Sequence, residues 1–345
     1  MDKMIVNSKE GPYSIYFEHN FDHFIKLCAR LKTNNNKFVI IFDYNAYKLH
    51  GKNLLNLLLE NNIIAEKFII KASEKRKNLE QVEKIYDFLF DIGADRNTYI
   101  ISFGGGIVGD IAGFVASTYK RGTKFIQIPT TLLACVDSSI GGKVGVNFKN
   151  KKNLIGAFYN PKFVYINVSL LETLDKRQYN CGMVEIIKHA LLMNEDMFCD
   201  IENKKYTLIN LIKKSCEIKA KVVEKDEKEN SIRVILNLGH TIGHAIECAT
   251  NFKYSHGEAV AIGILYSLKI SRKLNKITRK DADRIKRVFD GLDVLPKDLK
   301  NISLEKVKKC IKYDKKINDG ILKYIILEGI GKYKILKICN IDEII

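Results

Sequence analysis

The sequence predicts an α/β fold, with a parallel sheet and covering helices in the N-terminal half and a mainly α-helical C-terminal half. Three observations carry this. Short apolar runs alternate with segments of helical period through the first half of the 345 residues. A glycine cluster, Gly104-Gly105-Gly106-Ile107-Val108-Gly109-Asp110, follows one of those runs. From about residue 176 onward strand-like runs are scarce and helical periodicity dominates.

Taken in order, residues 37–42 are a short apolar run that reads as a buried strand, and 52–61 carry apolar residues at helical spacing. Residues 68–70 are apolar again. Leu79, Val82, Ile85, Tyr86, Phe88 and Leu89 make 79–90 an amphipathic helix. Residues 99–103 form a strand that feeds the glycine cluster, and 125–128 form another, ended by Pro129. In the second half, 209–223, 259–274 and 282–292 have helical apolar faces. Residues 321–327 and 333–339 suit a small hairpin around Gly329-Ile330-Gly331. The expected domains are 1–175 and 176–345, with no low-complexity linker, so that they abut across a cleft.

Bulk properties narrow the function. A hydrophobic content of 46% supports a sizeable core. No leader-like opening and no run of about 18 apolar residues is present, so a cytoplasmic protein without membrane partners is expected. Eight cysteines at wide spacings, none in a C-x-x-C pair, read as reduced thiols packed as small hydrophobes. The formal charge is +17, but the lysines are dispersed and lack interleaved aromatics. An anionic small-molecule substrate explains that charge better than nucleic acid does.

Gly104, Gly106 and Gly109 satisfy G-x-G-x-x-G between a strand and a potential helix start at Asp110-Ile111-Ala112-Gly113-Phe114. Such a turn lets backbone approach a dinucleotide pyrophosphate. No acid follows about 20 residues later to hold a ribose. Asp43 ends an earlier strand instead, which suggests a Rossmann-like sheet with different connectivity.

The histidines supply a second constellation. His240, His244 and His256 cluster in a chain that has only seven histidines. His240 and His244 share one helical face, but Thr241 stands where a zinc peptidase would carry its glutamate base. Glu185 lies on another helix with Lys188 one turn on. Either Glu185, His240 and His256 or His240, His244 and His256 suit a catalytic metal that leaves positions open. Arg121, Lys143, Lys152, Lys188, Lys219 and Arg233 are anion-binding candidates. A nucleotide site and a metal site together point to redox chemistry on an alcohol.

Several long motifs resemble the 3-dehydroquinate synthase family, a branch of the sugar phosphate cyclases. They are the stretch from Gly104 to Gly122, Pro129 to Lys143, Lys152-Asn-Leu-Ile-Gly-Ala157, Gly182-Met-Val-Glu-Ile-Ile-Lys188, Leu236-Asn-Leu-Gly-His-Thr-Ile-Gly-His244 and His256-Gly-Glu-Ala-Val-Ala-Ile-Gly263. The resemblance implies an N-terminal Rossmann-like domain, a C-terminal helical domain and an active site between them. It implies NAD, zinc or cobalt, and a homodimer. The implied reaction turns 3-deoxy-D-arabino-heptulosonate 7-phosphate into 3-dehydroquinate and phosphate. Its steps are transient oxidation by NAD, phosphate elimination, re-reduction and intramolecular aldol closure. The alternatives are another cyclase, such as a 2-deoxy-scyllo-inosose synthase, or a metal-dependent polyol dehydrogenase.

Carried over by motif, the resemblance makes Glu185, His240 and His256 the metal ligands and leaves His244, Lys188 and Lys143 in catalytic roles. Asp43, Asn45, Glu74, Lys77, Gly105, Gly106, Asp110, Thr130, Thr131, Lys143, Lys152 and Thr173 match NAD contacts. Arg121, Asp137, Lys143, Lys152, Asn153, Lys188, Lys219, Arg233, Asn237, His244 and Lys315 or Lys316 match the substrate set. Phosphate is assigned to Lys152, Asn153 and Arg121, and carboxylate or ring hydroxyls to Lys219 and Arg233. The departures are small: Ser73 replaces a usual glycine, Ile242 an aromatic, Val144-Gly145 a Thr-Ala or Thr-Gly, and Asp175 a proline.

Overall fold

An antiparallel pair, β1 (Asp2–Val6) and β2 (Tyr13–Glu18), opens the chain and leads into helix α1 (Asp22–Leu31). The computed structural model describes residues 2–33, 36–149, 151–251, 253–296, 303–312, 317–318, 321–340 and 342. Two compact units divide it, Met1–Asp175 and Lys176–Ile345. In the first, β3 (Phe38–Asp43) runs through a short helix α2 (Tyr44–Ala46) and a π-helical turn, Tyr47–Gly51, into α3 (Lys52–Glu60). Then come β4 (Ala65–Ile70), α4 (Leu79–Asp91), β5 (Tyr99–Gly104), α5 (Gly106–Thr118) and β6 (Lys124–Pro129). A hairpin, β7 (Lys143–Phe148) and β8 (Lys151–Phe158), precedes β9 (Phe163–Asn167).

Seven strands make one sheet in the order β1-β2-β9-β6-β5-β3-β4, parallel from β2 to β4. Its central strands are apolar on both faces because helices cover both. Phe38, Ile40 and Phe42 pack with Phe24, Leu54, Leu58, Ile101 and Phe103 on one face. Val39 and Ile41, the alternate positions, pack with Val82, Ile85, Leu89, Ile111 and Val115 on the other. Strand order explains the missing downstream acid. The strand beside β5 is β3, which comes earlier in the chain and ends in Asp43.

The second unit is mainly helical, with α6 (Lys176–Met193), α7 (Glu195–Glu202), α8 (Leu208–Lys225), α9 (His240–Ala249), α10 (His256–Lys273), α11 (Arg279–Gly291) and α12 (Leu304–Lys312). The expected hairpin is part of a three-stranded antiparallel sheet of β10 (Ile317–Asn318), β11 (Ile321–Gly329) and β12 (Lys332–Ile338). Ile242, Ala245 and Ile246 of α9 and Ala259 and Ile262 of α10 share a core with Leu322, Tyr324 and Ile326.

Glycine sets the spacing of these helices. Gly239, at φ +79°, starts α9, and a Cβ on Gly263 of α10 would lie 1.9 Å from the Gly239 carbonyl oxygen. A Cβ on Gly257 would lie 2.4 Å from Cys181 Cα of α6. Backbone therefore touches backbone where α9 and α10 begin.

Two features depart from the sequence expectation. Strands β1, β2, β7, β8 and β9 have no counterpart in it. Strand β1 is largely exposed at a sheet edge and β8 is largely exposed, so neither carries an apolar run. Cys248 and Cys310, expected as separate thiols, form a disulfide with Cα–Cα 6.2 Å. That pair depends on packing of α9 against α12 across 62 residues, which spacing does not reveal. Cys28, Cys135, Cys181 and Cys216 are buried as expected, and burial pushes the Cys28 thiol up to about 12, whereas Cys199 is half-buried and Cys339 is exposed.

Candidate active site: a nucleotide cradle and a metal centre

In the first unit the glycine cluster joins β5 to α5, with Gly105 as the helix N-cap and no side chain closing that cap. A Cβ on Gly105 would meet Thr131 Cγ2 at 3.1 Å, and one on Gly106 would meet Ser138 Oγ at 2.9 Å. The side chains of Thr131 and Ser138 thus stand close against bare glycine backbone at a helix start that no side chain caps. A pyrophosphate fits that chemistry. Thr130 N donates to Gly104 O at 3.0 Å, which ties the next strand end to the turn. Thr131 Oγ1 accepts from Ala134 N at 3.2 Å and leads into the π-helical turn Ala134–Ser138 that carries Asp137.

Asp43 caps α2, with Oδ1 accepting from Asn45 N at 2.9 Å and Ala46 N at 3.3 Å. Its Oδ2 accepts from Ala72 N at 3.3 Å, so the carboxylate pins the loops after β3 and β4 together. Thr173 Oγ1 lies 2.8 Å from His50 Nε2, a residue absent from the sequence-derived set.

A polar network extends from α5. Lys77 is 4% exposed, and its ammonium pairs with Asp110 and donates to Asn153 Oδ1. Burial pushes the Asp110 carboxyl above its ordinary range; Lys77 pulls against that, while Glu74 and Asp137 add to it. Asn147 joins the network: its Nδ2 donates to Glu74 Oε2 at 2.9 Å and its Oδ1 accepts from Asn153 N at 2.9 Å. Lys152 faces Glu74 at 3.8 Å. Lys143 is exposed at the start of β7. Arg121 is exposed beyond the C-terminal end of α5, more than two helical turns after Asp110, so this network does not gather it.

The second unit gathers the histidines. His240 is the first residue of α9 and His256 the first of α10, while Glu185 lies in the middle of α6, wholly buried. Glu185 Oε1 lies 3.9 Å from both His240 Nε2 and His256 Nε2, too far for hydrogen bonds. Lys188 Nζ sits against Glu185 Oε2 as an ion pair, yet neither carboxylate oxygen has a well-formed hydrogen bond. Ligands about 2.0–2.1 Å from a tetrahedral zinc stand about 3.4 Å apart. A carboxylate and two imidazoles at this spacing therefore fit a divalent ion. His244 lies one turn after His240, with ring centroids 5.3 Å apart, and 5.9 Å from the His256 ring.

Three buried cations lie in the same unit, and Lys188 pairs with Glu185. Lys188 is 1% exposed, Lys219 on α8 5%, and Arg233 3%. Arg233 and Asn237 lie on the two-turn 3-10 helix Ile232–Asn237, and Asn237 Nδ2 donates to Glu229 Oε1 at 2.9 Å. Asp226 holds this segment by accepting from the backbone of Asn230 at 2.8 Å, Ser231 at 2.7 Å and Arg233 at 2.9 Å. Burial acts to raise the Asp226 carboxyl, but the N–H groups of Arg233, Ser231 and Asn230 outweigh it and hold it below the ordinary aspartate range. A lowered folded-state value means the carboxylate stabilises the fold above that ordinary range, and the contribution is lost as pH falls through the lowered value. Asp226→Asn is therefore expected to be less stable than wild type at about pH 7, with the gap closing towards about pH 3. Urea unfolding across that range tests it, and a pH-independent gap would refute it.

Lys315 and Lys316 lie outside the described residues. The sequence-derived set also omits Glu247, which is 3% exposed on α9 with its Oε1 3.6 Å from His256 Nδ1. Its spacing from His240 and His244, seven and three residues on, was the available signal.

Residues 67–181 match the family described as 3-dehydroquinate synthase N-terminal, and residues 182–317 match 3-dehydroquinate synthase C-terminal. A 3-dehydroquinate synthase of Thermoanaerobacter pseudethanolicus is 44% identical over 346 residues, which cover 97% of this chain and 96% of the relative. Among solved structures, 2-epi-5-epi-valiolone synthase from Streptomyces hygroscopicus with NAD+ and Zn2+ bound is 25% identical with a TM-score of 0.88, covering 99% of this chain and 97% of its own. A 2-deoxy-scyllo-inosose synthase complexed with carbaglucose-6-phosphate, NAD+ and Co2+ is 25% identical with a TM-score of 0.84, covering 98% and 96%.

Proposed function

We infer the chemistry from family and geometry together: the chain belongs to the 3-dehydroquinate synthase family. It is an NAD- and metal-dependent lyase of the shikimate pathway. The reaction we assign converts 3-deoxy-D-arabino-heptulosonate 7-phosphate to 3-dehydroquinate and phosphate. The observation that carries the substrate is the burial of Lys188, Lys219 and Arg233 in the unit that holds Glu185, His240 and His256. Lysine and arginine side chains in the unit that carries the metal-ligand candidates suit an anionic ligand, the guanidinium by its fork and the ammonium as a point charge. A carboxylated sugar phosphate is such a ligand, whereas the substrate of a 2-deoxy-scyllo-inosose synthase lacks the carboxylate.

Each residue then has a task. The backbone cradle at Gly105 and Gly106 holds the NAD pyrophosphate, with Asp43, Asn45, Glu74, Lys77, Asp110, Thr130, Thr131, Lys143, Lys152 and Thr173 shaping the rest of that site. Glu185, His240 and His256 hold zinc or cobalt. When bound, the ion and NAD supply Lewis-acid polarisation and reversible hydride acceptance. His244 moves the proton of the oxidised hydroxyl. Lys219 and Arg233 grip the carboxylate and ring hydroxyls, with Asn237 and Lys188 beside them, and Asp137 orients the substrate. Phosphate falls to Lys152 and Asn153. Arg121, exposed beyond the far end of α5, stands outside that group within one chain.

The deciding experiment supplies the heptulosonate phosphate with NAD and zinc. Stoichiometric phosphate and dehydroquinate with no net NADH are expected. Accumulating NADH without phosphate would instead identify a polyol dehydrogenase. Family membership also supports a cytoplasmic homodimer, and a single-chain mass by light scattering would refute the dimer.

A further inference from the structure

Helix α9 presents His240, His244 and Glu247 at positions i, i+4 and i+7, one stripe along the helix. The opposite positions, Ile242, Ala245 and Ile246, are in the apolar core. Glu247 is therefore a carboxylate on a buried helix, 3% exposed. Such a group is costly to bury unless it is paired. The His256 ring from α10 meets this stripe between two carboxylates. Its Nε2 lies 3.9 Å from Glu185 Oε1, and its Nδ1 lies 3.6 Å from Glu247 Oε1.

We propose that Glu247 is a positioning residue for the metal centre, which faces Nδ1 of His256 and so presents Nε2 as the ligand atom. The inference rests on reading Glu185, His240 and His256 as the ligands. An imidazole carries one proton on one nitrogen when neutral, and a carboxylate beside Nδ1 keeps that proton there. Nε2 then has its lone pair toward the ion. The carboxylate also makes the ring a stronger base and restrains its rotation. Glu247 touches neither the ion nor the substrate in this role. The other arrangement open to the same atoms is a second ion held by His244, Glu247 and His256, whose ligand atoms lie within 4.8 Å of one another.

The test measures metal binding by the full chain. Wild type, Glu247→Gln, Glu247→Leu and His240→Ala are stripped with a chelator and titrated with zinc and with cobalt. Affinity is read by competition with a chromophoric chelator, and geometry by the visible spectrum of bound cobalt. Wild type is expected to take one ion per chain. Glu247→Gln, which keeps an oxygen facing Nδ1 but loses the charge, binds about 10-fold more weakly, and Glu247→Leu about 100-fold more weakly with a shifted cobalt spectrum. Should the leucine variant fail to fold, the glutamine variant carries the test alone. Unchanged affinity in Glu247→Gln together with loss of the ion in His240→Ala overturns the role of Glu247 and leaves the ligand set intact. Wild-type affinity in His240→Ala overturns the ligand set and this inference with it. Two ions per wild-type chain would show that Glu247 is itself a ligand.

Discussion

His240→Ala is expected to emerge from purification without a divalent ion and without turnover. His244→Ala should keep its ion and turn over about 10²–10⁴-fold more slowly, the usual range for an acid-base group. The contrast follows from position. His240 Nε2 faces Glu185 Oε1 at 3.9 Å, and removing it leaves a buried carboxylate and one imidazole, too few ligands for a tight site. His244 stands one turn further along α9, beside the ligands rather than among them. Metal content by mass spectrometry, paired with phosphate release, reads both variants. An ion-free His244→Ala protein would overturn the assignment.

Gly263→Ala should be among the most destabilising single changes in the second unit. The added methyl would lie 1.9 Å from Gly239 O and 2.7 Å from its carbonyl carbon. A side chain struck this way can rotate aside, but a carbonyl in the turn before α9 cannot. Overpacking typically costs 1–3 kcal/mol, and a backbone clash belongs at the upper end, about 3 kcal/mol. For a unit of this size that lowers the melting temperature by roughly 6–12 °C. Because Gly239 immediately precedes His240, the same shift should loosen the metal site. Calorimetry and zinc titration on the one variant measure both effects, and wild-type values in both would show that the helices can part without consequence.

Four of the seven strands of the main sheet were legible. Residues 37–42, 99–103 and 125–128 become β3, β5 and β6, within a residue or so at each end, because strands covered on both faces carry uninterrupted apolar runs. The long helices α8, α10 and α11 likewise followed from apolar period. Edge and hairpin strands were not legible, and neither was β9, although it lies between β2 and β6 and is buried along its whole length. Strand β8 is mostly exposed, and β1 buries little but Val6, so neither shows a pattern that distinguishes it from a loop. At the metal centre, spacing alone left Glu185 and His244 as equal candidates. Distance along the chain says nothing about which helices meet, and the approach of α6 to α10 runs through Gly257 and Cys181, whose contact no local pattern records. Glu247 was missed for a different reason: its role depends on a ring that α10 supplies.

His240 and His256, the imidazoles of the proposed metal site, are the first residues of their helices, and that bears on how the site trades ions. A helix start carries roughly half a positive charge. Glu258 offsets this on α10 through its capping box with Ser255, whereas the first turn of α9 holds no acid. The uncompensated start of α9 weakens the grip on a dication and strengthens the grip on an anion. Substrate should therefore slow metal escape, and by reciprocity the ion should tighten substrate. A half-life of zinc loss to a chelator that the heptulosonate phosphate leaves unchanged would show that the two occupants ignore each other.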